Sequence, residues 1–301
     1  MGNVASVEEI IKKVNIWDAT KVAYEPLSGG ITNHNYTCTV DGTKYVLRIP
    51  GAGTETFIDR EVEISSSIAA AKTGSSPEIL CVVKPENASV ITFIEGEVLH
   101  PDTLVADDEH IVKVVSAVKQ VHDKAVFQAE TNVFEMTRRY IDMAKEVNAF
   151  FPDDFIWMLA ISERIEKAMD RDKPAPAACH NDLLSENFIV DPNGQLWILD
   201  WEYGGMNDPY FDLGDFAVEH PLNPTQQKLI IETYCGEYQH HRFCRMMLHQ
   251  LTADLWWCQW AMIQDRISKI DFDFYTYGLG RYSRFRDNYY NRNFSSWLEG
   301  V

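Results

Sequence analysis

The chain has 301 residues, 46% of them apolar and 12% aromatic, which is enough to bury a substantial core in one large domain or two lobes. Its 27 basic residues face 45 acidic ones, and a formal charge of −18 argues against nucleic acid and against anionic membranes as partners. No stretch of about eighteen apolar residues could cross a bilayer, and the first fifteen residues lack a signal-peptide apolar core.

Met1-Gly2 with Ser6 fits an N-myristoylation pattern. Ser6 and Glu9 also form a capping box opening a short helix, which explains the same residues without lipid. Six cysteines, Cys38, Cys81, Cys179, Cys235, Cys244 and Cys258, contain no C-x-x-C pair and sit in apolar contexts. They read as free thiols in a reducing cytoplasm.

Residues 22–27, 36–40 and 45–49 read as strands, the last two joined through Asp41-Gly42, a hairpin signal. Between the first two lies a small, Gly-rich turn containing Ser28, Gly29, Thr32, Asn33 and Asn35. Its backbone N–H groups could cradle phosphates, although no Gly-Lys-Ser/Thr follows and it is not a Walker A loop. Arg48 lies in the third strand among apolar neighbours and needs a buried partner. Glu61, in the predicted helix 55–71, is the natural one, and Glu63 is the alternative. Strands 79–83 and 89–93 complete a small sheet. The segment after them reads as a hinge whose backbone near Phe93 and Ile94 could meet an adenine ring. The division falls between residues 1–95 and 96–301.

Helical spacing follows over 110–122, 131–151, 153–169, 225–238 and 242–267, and a final helix is predicted over 272–297. His122 reads as a packed or capping residue. In the long helix, Trp257 and Trp260 share a face that Gln264 continues. Such a stripe is either core or, facing a carboxylate such as Glu219, a cage for an ammonium group.

The stretch 179–219 carries the chemistry. His180-Asn181-Asp182 is followed by Asn187, then by the turn Asp191-Pro192-Asn193-Gly194 and an apolar run ending at Asp200. An Asp, an Asn five residues on and a second Asp after a hairpin are the parts of a kinase-type phosphoryl transferase. The first accepts the hydroxyl proton, and the other two hold Mg²⁺. From Pro174 to Gln227 there are nine carboxylates and no Lys or Arg. Uncompensated acid on one surface repels itself, so a metal and a cationic substrate would both relieve it. The plainer reading is a solvated acidic face.

Ser28-Gly29-Gly30-Ile31-Thr32-Asn33, Tyr45-Val46-Leu47-Arg48, His180-Asn181-Asp182-Leu183-x-x-x-Asn187, Asp200-Trp201-Glu202-Tyr203, Asp208-Pro209 and Phe211-Asp212-Leu213-Gly214 closely resemble bacterial choline/ethanolamine kinases. These belong to the wider aminoglycoside phosphotransferase group, and the resemblance covers about residues 20–290. It implies an α+β, protein-kinase-like fold of two lobes, a small antiparallel-sheet lobe and a mostly helical one. It implies ATP and Mg²⁺ as cofactors and a small cationic amino-alcohol as substrate. Asp182 corresponds to the catalytic base and Asn187 and Asp200 to the metal ligands. Arg48 resembles the replacement for the kinase lysine, with Glu61 beside it. Glu202, Tyr203, Glu219, Trp257 and Trp260 resemble the substrate set. Tyr277 closes the pocket in one alignment and Tyr282 in another.

The implied location is the cytoplasm, without stable membrane insertion, and nothing opposes a homo-oligomer. Two rivals stand beside this reading. One is a kinase for another alcohol, such as an aminoglycoside, homoserine or a thiamine-like compound. The other is a kinase-shaped binding module without catalysis, against which intact Asp182, Asn187 and Asp200 argue.

Overall fold

The computed structural model describes residues 6–27, 33–51, 54, 56–291 and 293–301. Helix α1 (Val7–Lys13) opens on the forecast capping box: Ser6 accepts from the Glu9 amide at 3.3 Å, and Glu9 accepts from the Ser6 amide at 2.9 Å. Met1 and Gly2 lie outside the described residues, as do Ser28, Gly29 and Thr32 of the Gly-rich turn.

Strands β1 (Ala23–Leu27), β2 (Asn33–Val40) and β3 (Thr43–Pro50) precede helix α2 (Arg60–Ala71). Strands β4 (Ile79–Val83) and β5 (Ala88–Thr92) then complete an antiparallel sheet of order β1-β2-β3-β5-β4. The β2–β3 hairpin turns on Asp41 and Gly42, with φ of 47° and 85°, the left-handed pair that a two-residue loop between Val40 and Thr43 demands. Leu47 and Ile49 on β3 pack with Ile10 and Ile11 of α1 in a small core of their own. Strand alternation sends Arg48, paired with Asn35 on one side and Ser89 on the other, to the opposite face.

The chain leaves this sheet early. Strand β6 (Glu97–Val98) already pairs with β8 (Phe188–Val190) of a second sheet. Helices α3 (Pro101–Ala106), α4 (Asp108–Lys124), α5 (Val133–Glu146) and α6 (Phe155–Met169) follow β6. The central stretch then folds as β7 (Ala177–Cys179), β8, β9 (Leu196–Ile198) and β10 (Gly205–Asn207), with order β6-β8-β9 in one sheet and β10-β7 in the other. Helices α7 (Pro209–Glu219), α8 (Pro224–Cys235), α9 (His240–Ile267), α10 (Phe274–Asn291) and α11 (Phe294–Gly300) complete the chain. The single tail helix predicted from sequence is thus two. Phe294 and Trp297 of α11 are buried in the main core, which requires the chain to turn.

Helix α9 is the axis of the helical region. Its residues Cys244–Gln264 are buried without a break, so it shows no amphipathic stripe. Helix α7 crosses it closely: a Cβ on Gly214 would lie 2.6 Å from the His249 Cβ and 2.8 Å from the Met246 carbonyl. Helix α10 is tied across both. Arg281 and Arg284 donate to the two oxygens of Glu219 at 2.5 and 2.7 Å, and Arg284 also meets Asp254 of α9 at 2.5 Å. Among the described residues, no helix is long and apolar enough to cross a membrane, and all six cysteines are free thiols.

Replacing Glu219 with Gln removes one charge between two guanidinium groups that keep only partial access to water. The expected loss is about 2–4 kcal/mol, toward the lower end of the range for breaking buried pairs. Urea denaturation with an unchanged m-value measures it. A loss below about 0.5 kcal/mol would show that α10 is held by packing alone.

Candidate active site

Two acids of α7 hold the loop that carries Asp182. Asp212 Oδ2 accepts from the His180 amide at 2.8 Å and Oδ1 from the Asn181 amide at 2.7 Å. Asp215 Oδ2 accepts from the Leu183 amide at 2.7 Å. Asp182 therefore sits in a backbone pinned on both sides by one helix. Asp212, Asp215 and Glu219 share a face of α7 because they stand three and four residues apart. His122 of α4 supports the arrangement from behind, with Nε2 on Asp212 at 3.0 Å and Nδ1 on the Tyr234 hydroxyl at 2.9 Å. It is a packed histidine, as the sequence indicated.

His180 links the loop to the Asp200 segment. Its Nδ1 accepts from the Asp182 amide at 3.2 Å, so Nε2 carries the proton and donates to the Leu199 carbonyl at 2.7 Å. Burial pulls the His180 pKa down, consistent with this neutral tautomer. The Leu199 amide donates to the Asn187 carbonyl at 2.8 Å, and Asn187 Nδ2 donates to the Asp182 carbonyl at 3.0 Å. Asp182, Asn187 and the strand end that carries Asp200 are thereby tied together through backbone groups. Asn181 and Asp200 take φ of 69° and 67°. This left-handed region costs a non-glycine residue about 1 kcal/mol or more, and it is held by the contacts around it. Asn181 meets the cost with side-chain bonds to the Tyr203 carbonyl and to Asn207.

Arg48 reaches across from the sheet. Its Nη2 lies 2.5 Å from Asp200, 2.7 Å from Glu202 and 3.0 Å from Glu63. Burial alone would lower its pKa, but the three acids raise it, so it stays charged. The expected pairing with Glu61 is corrected. Glu61 has a side chain 82% exposed and pairs with Lys84 at 3.2 Å. Asp59 caps α2 so that Arg60 and Glu63, three apart, turn inward together, while Glu61 is rotated away by one step of the helix. Arg60 adds a second cation, 2.6 Å from Glu63 and 3.2 Å from Glu202. It was missed from sequence, although a basic residue just inside a cap and three before an acid was its signal.

Glu202, expected on the substrate side, is turned toward the sheet, where Arg48, Arg60 and the Asn33 amide surround it. Asn35 pairs with Arg48 in the β2–β3 register. The Phe93 ring lies 5.1 Å from Lys44 Nζ, and Ile94 follows it in the link to β6. Glu63, Asp200 and Glu202 could hold a metal ion by proximity, but two guanidinium groups already compensate them.

Near Asp182, whose charge acts on both Tyr203 and Tyr277, the rings form a continuous wall. Tyr203 meets Trp257 edge to face at 5.2 Å, Trp257 meets Trp260 at 5.7 Å, and Trp260 meets Tyr277 at 6.2 Å. Tyr277 is therefore the ring on this wall. Tyr282 bonds to Asp154 instead, beside Arg286. Glu219, expected to face an ammonium directly, is occupied by Arg281 and Arg284, and Arg281 also lies 4.2 Å over the Tyr277 ring. The acids of the central stretch thus draw their cations from distant segments. Arg48, Arg60, Arg281 and Arg284 serve it, and Arg245 serves Asp208 at 2.5 Å. Asp182 and Asp215 have no such partner among the described residues. Burial, followed by the charges of Asp215, Asp200, Glu219 and Glu202, pushes the Asp182 carboxyl well above its usual range.

Known proteins match this geometry. The family model described as choline/ethanolamine kinase matches residues 24–252. Protein LicA of Haemophilus influenzae is 27% identical over 253 residues, covering 79% of this chain and 72% of that protein. Human ethanolamine kinase 1 is 25% identical over 89% of this chain and 68% of its own. The solved choline/ethanolamine kinase family protein from Mesorhizobium loti is 30% identical, covers 92% of both chains and superposes with a TM-score of 0.82. The two-lobed, protein-kinase-like architecture is shared with it, and the chain belongs to the choline/ethanolamine kinase family.

Proposed function

We propose that the protein transfers the γ-phosphoryl group of ATP to the hydroxyl of choline or ethanolamine, with Asp182 as base. The observation that carries this reading is the backbone-linked set of Asp182, Asn187 and the Asp200 segment, with Arg48 on Asp200 and the aromatic rings near Asp182. The alcohol lies against Asp182 with its ammonium toward Trp257, Trp260 and Tyr277. Its oxygen attacks the γ-phosphorus in line, the bond to the β-bridging oxygen breaks, and ADP leaves. Asp182 orients the hydroxyl and receives its proton late in the step. A carboxylate of ordinary pKa is a poor base for an alcohol. The burial that raises this one narrows the gap.

The residues 28–35 and Arg48 would bind the phosphates, with the backbone at Phe93 and Ile94 against the adenine. Asn187 and Asp200 fit Mg²⁺ by donor type. Asn187 commits its amide nitrogen to the Asp182 carbonyl, which leaves its oxygen as the ligand end. Asp200 uses Oδ1 on Arg48, and its second carboxylate oxygen is a hard donor. When bound, the ion neutralises charge on the phosphates.

The first test is a panel of choline, ethanolamine and aminoglycosides with ATP consumption as the readout. Turnover of choline or ethanolamine is expected, and turnover of aminoglycosides alone would replace the substrate assignment. Asp182→Asn should lower kcat by about 10²–10⁴-fold while nucleotide affinity, read by titration calorimetry, stays within about threefold. Near-normal kcat would remove Asp182 from the reaction. Trp257→Ala should raise the KM of the amino-alcohol by about tenfold with the ATP KM unchanged. An unmoved alcohol KM would place the cation elsewhere.

A further inference from the structure

Asp215 is 0% exposed, yet no Lys or Arg pairs with it among the described residues. Both its oxygens are hydrogen-bonded, Oδ1 by the Trp257 indole N–H at 3.0 Å and Oδ2 by the Leu183 amide at 2.7 Å. Neutral donors satisfy the lone pairs of a carboxylate but leave its charge in place, and a buried charge without a counter-ion is costly. Asp182 shares this lack, Asp212 has only the His122 imidazole beside it, and four other neighbouring acids have guanidinium partners. Asp208 has Arg245, Asp200 and Glu202 have Arg48, and Glu219 has Arg281 and Arg284. Of the acids on the inner face of α7, Asp215 alone lies at the junction of the two parts of the site. It holds the residue next to Asp182, and it holds the indole at the centre of the aromatic wall.

That position has two electrostatic consequences. An indole whose N–H donates to a carboxylate carries more electron density on its ring, so its face attracts a cation more strongly. Asp215 also lies close enough to Asp182 to raise its pKa, and burial followed by the charge of Glu219 pushes the Asp215 carboxyl itself well above its usual range, so a cation nearby would favour its charged form. Glu219 also loads this region with negative charge, but its two guanidinium partners offset that charge locally.

We propose that Asp215 is the positioning residue that makes the alcohol pocket select for a fixed positive charge, acting through the Trp257 indole and the Asp182 loop. The substrate's ammonium completes the compensation that the protein itself leaves open. Glu219, by contrast, serves the structure by anchoring α10. This rests on the reading of the site as an amino-alcohol kinase. It assigns discrimination between a cationic alcohol and an uncharged alcohol of the same shape to a residue that need not touch either.

The experiment compares choline with 3,3-dimethyl-1-butanol, its uncharged isostere, as substrates of the full chain and of Asp215→Asn. The wild type is expected to favour choline. In Asp215→Asn, kcat/KM for choline should fall by about tenfold or more beyond any fall for the isostere, which measures the loosened loop, while the KM for ATP changes by less than about threefold. The preference for charge is thereby lost. A parallel fall for both alcohols would mean that Asp215 only supports the loop, and an unchanged preference would mean that the charge is read elsewhere; either overturns the proposal. Asp215→Ser, whose hydroxyl can still meet one of the two N–H donors, gives the same ratio if the Asn variant does not fold. A wild type that phosphorylates neither choline nor ethanolamine would refute the kinase reading itself. That result appears in the wild-type measurements alone and is distinct from a failure in the variant.

Discussion

The grip of α7 on the catalytic loop is the constraint on which the site depends. Three backbone amides flanking Asp182 donate to two carboxylates three residues apart on one helix. Charge-assisted bonds of this kind are short and strong, and buried ones are costly to break. Helix α7 is in turn fixed by its close crossing of α9 at Gly214, where any side chain would meet the backbone of the other helix. The position of the Asp182 carboxylate is thus set by helix packing in the main core, through hydrogen bonds, rather than by the loop's own conformational preferences. The left-handed φ of Asn181, next to Asp182, is held in the same way.

Charge compensation gives the site its second organising feature. A stretch with nine carboxylates and no internal cation reads locally as a surface awaiting metal or substrate. In three dimensions four of the nine, Asp200, Glu202, Asp208 and Glu219, are met by arginines from β3, α2, α9 and α10. The arginines also join elements. Arg48 ties the sheet to the Asp200 segment, and Arg284 ties α10 to α7 and α9. Asp182 and Asp215 are among the acids left without a guanidinium partner among the described residues, and they lie where a nucleotide-linked cation and an ammonium would approach.

Local physics made much of the fold legible in sequence, and tertiary physics hid the rest. The Asp41-Gly42 hairpin, the Ser6 cap and the periodicity of α4 each encode their structure in a few consecutive residues, and all three appear as read. The family motifs were legible because Asp182, Asn187 and Asp200 stand at fixed offsets around one hairpin. The partner of Arg48 was not legible. Glu61 and Glu63 are chemically alike, and only the start of α2 at its Asp59 cap decides which one turns inward. The arginine partners of Glu219 were hidden for a related reason. An acid at the right offset looks available until the arginines of α10, more than sixty residues later, are seen to close on it. The break between α10 and α11 also depends on burial of Phe294 and Trp297 against the core, which no local pattern announces.

The three tryptophans of α9 show why core and cage were hard to separate by spacing. Trp256 turns into the interior against Tyr140 and Phe211, at 6.3 and 5.3 Å. Trp257, one residue on and about 100° around the helix, faces Tyr203 and Asp215. Trp260 shares part of both directions, since it is four residues from the first and three from the second. Its ring touches Phe57 and Phe274 as well as Trp257 and Tyr277. All three are nearly fully buried, so burial cannot divide them by role. The division comes from what the polar edge of each ring meets. Only Trp257 spends its N–H on a carboxylate, and that carboxylate also holds the catalytic loop. Two bonds through Asp215 therefore connect the ring that would face a cation to the backbone beside Asp182, so one residue would couple the recognition of charge to the placement of that carboxylate.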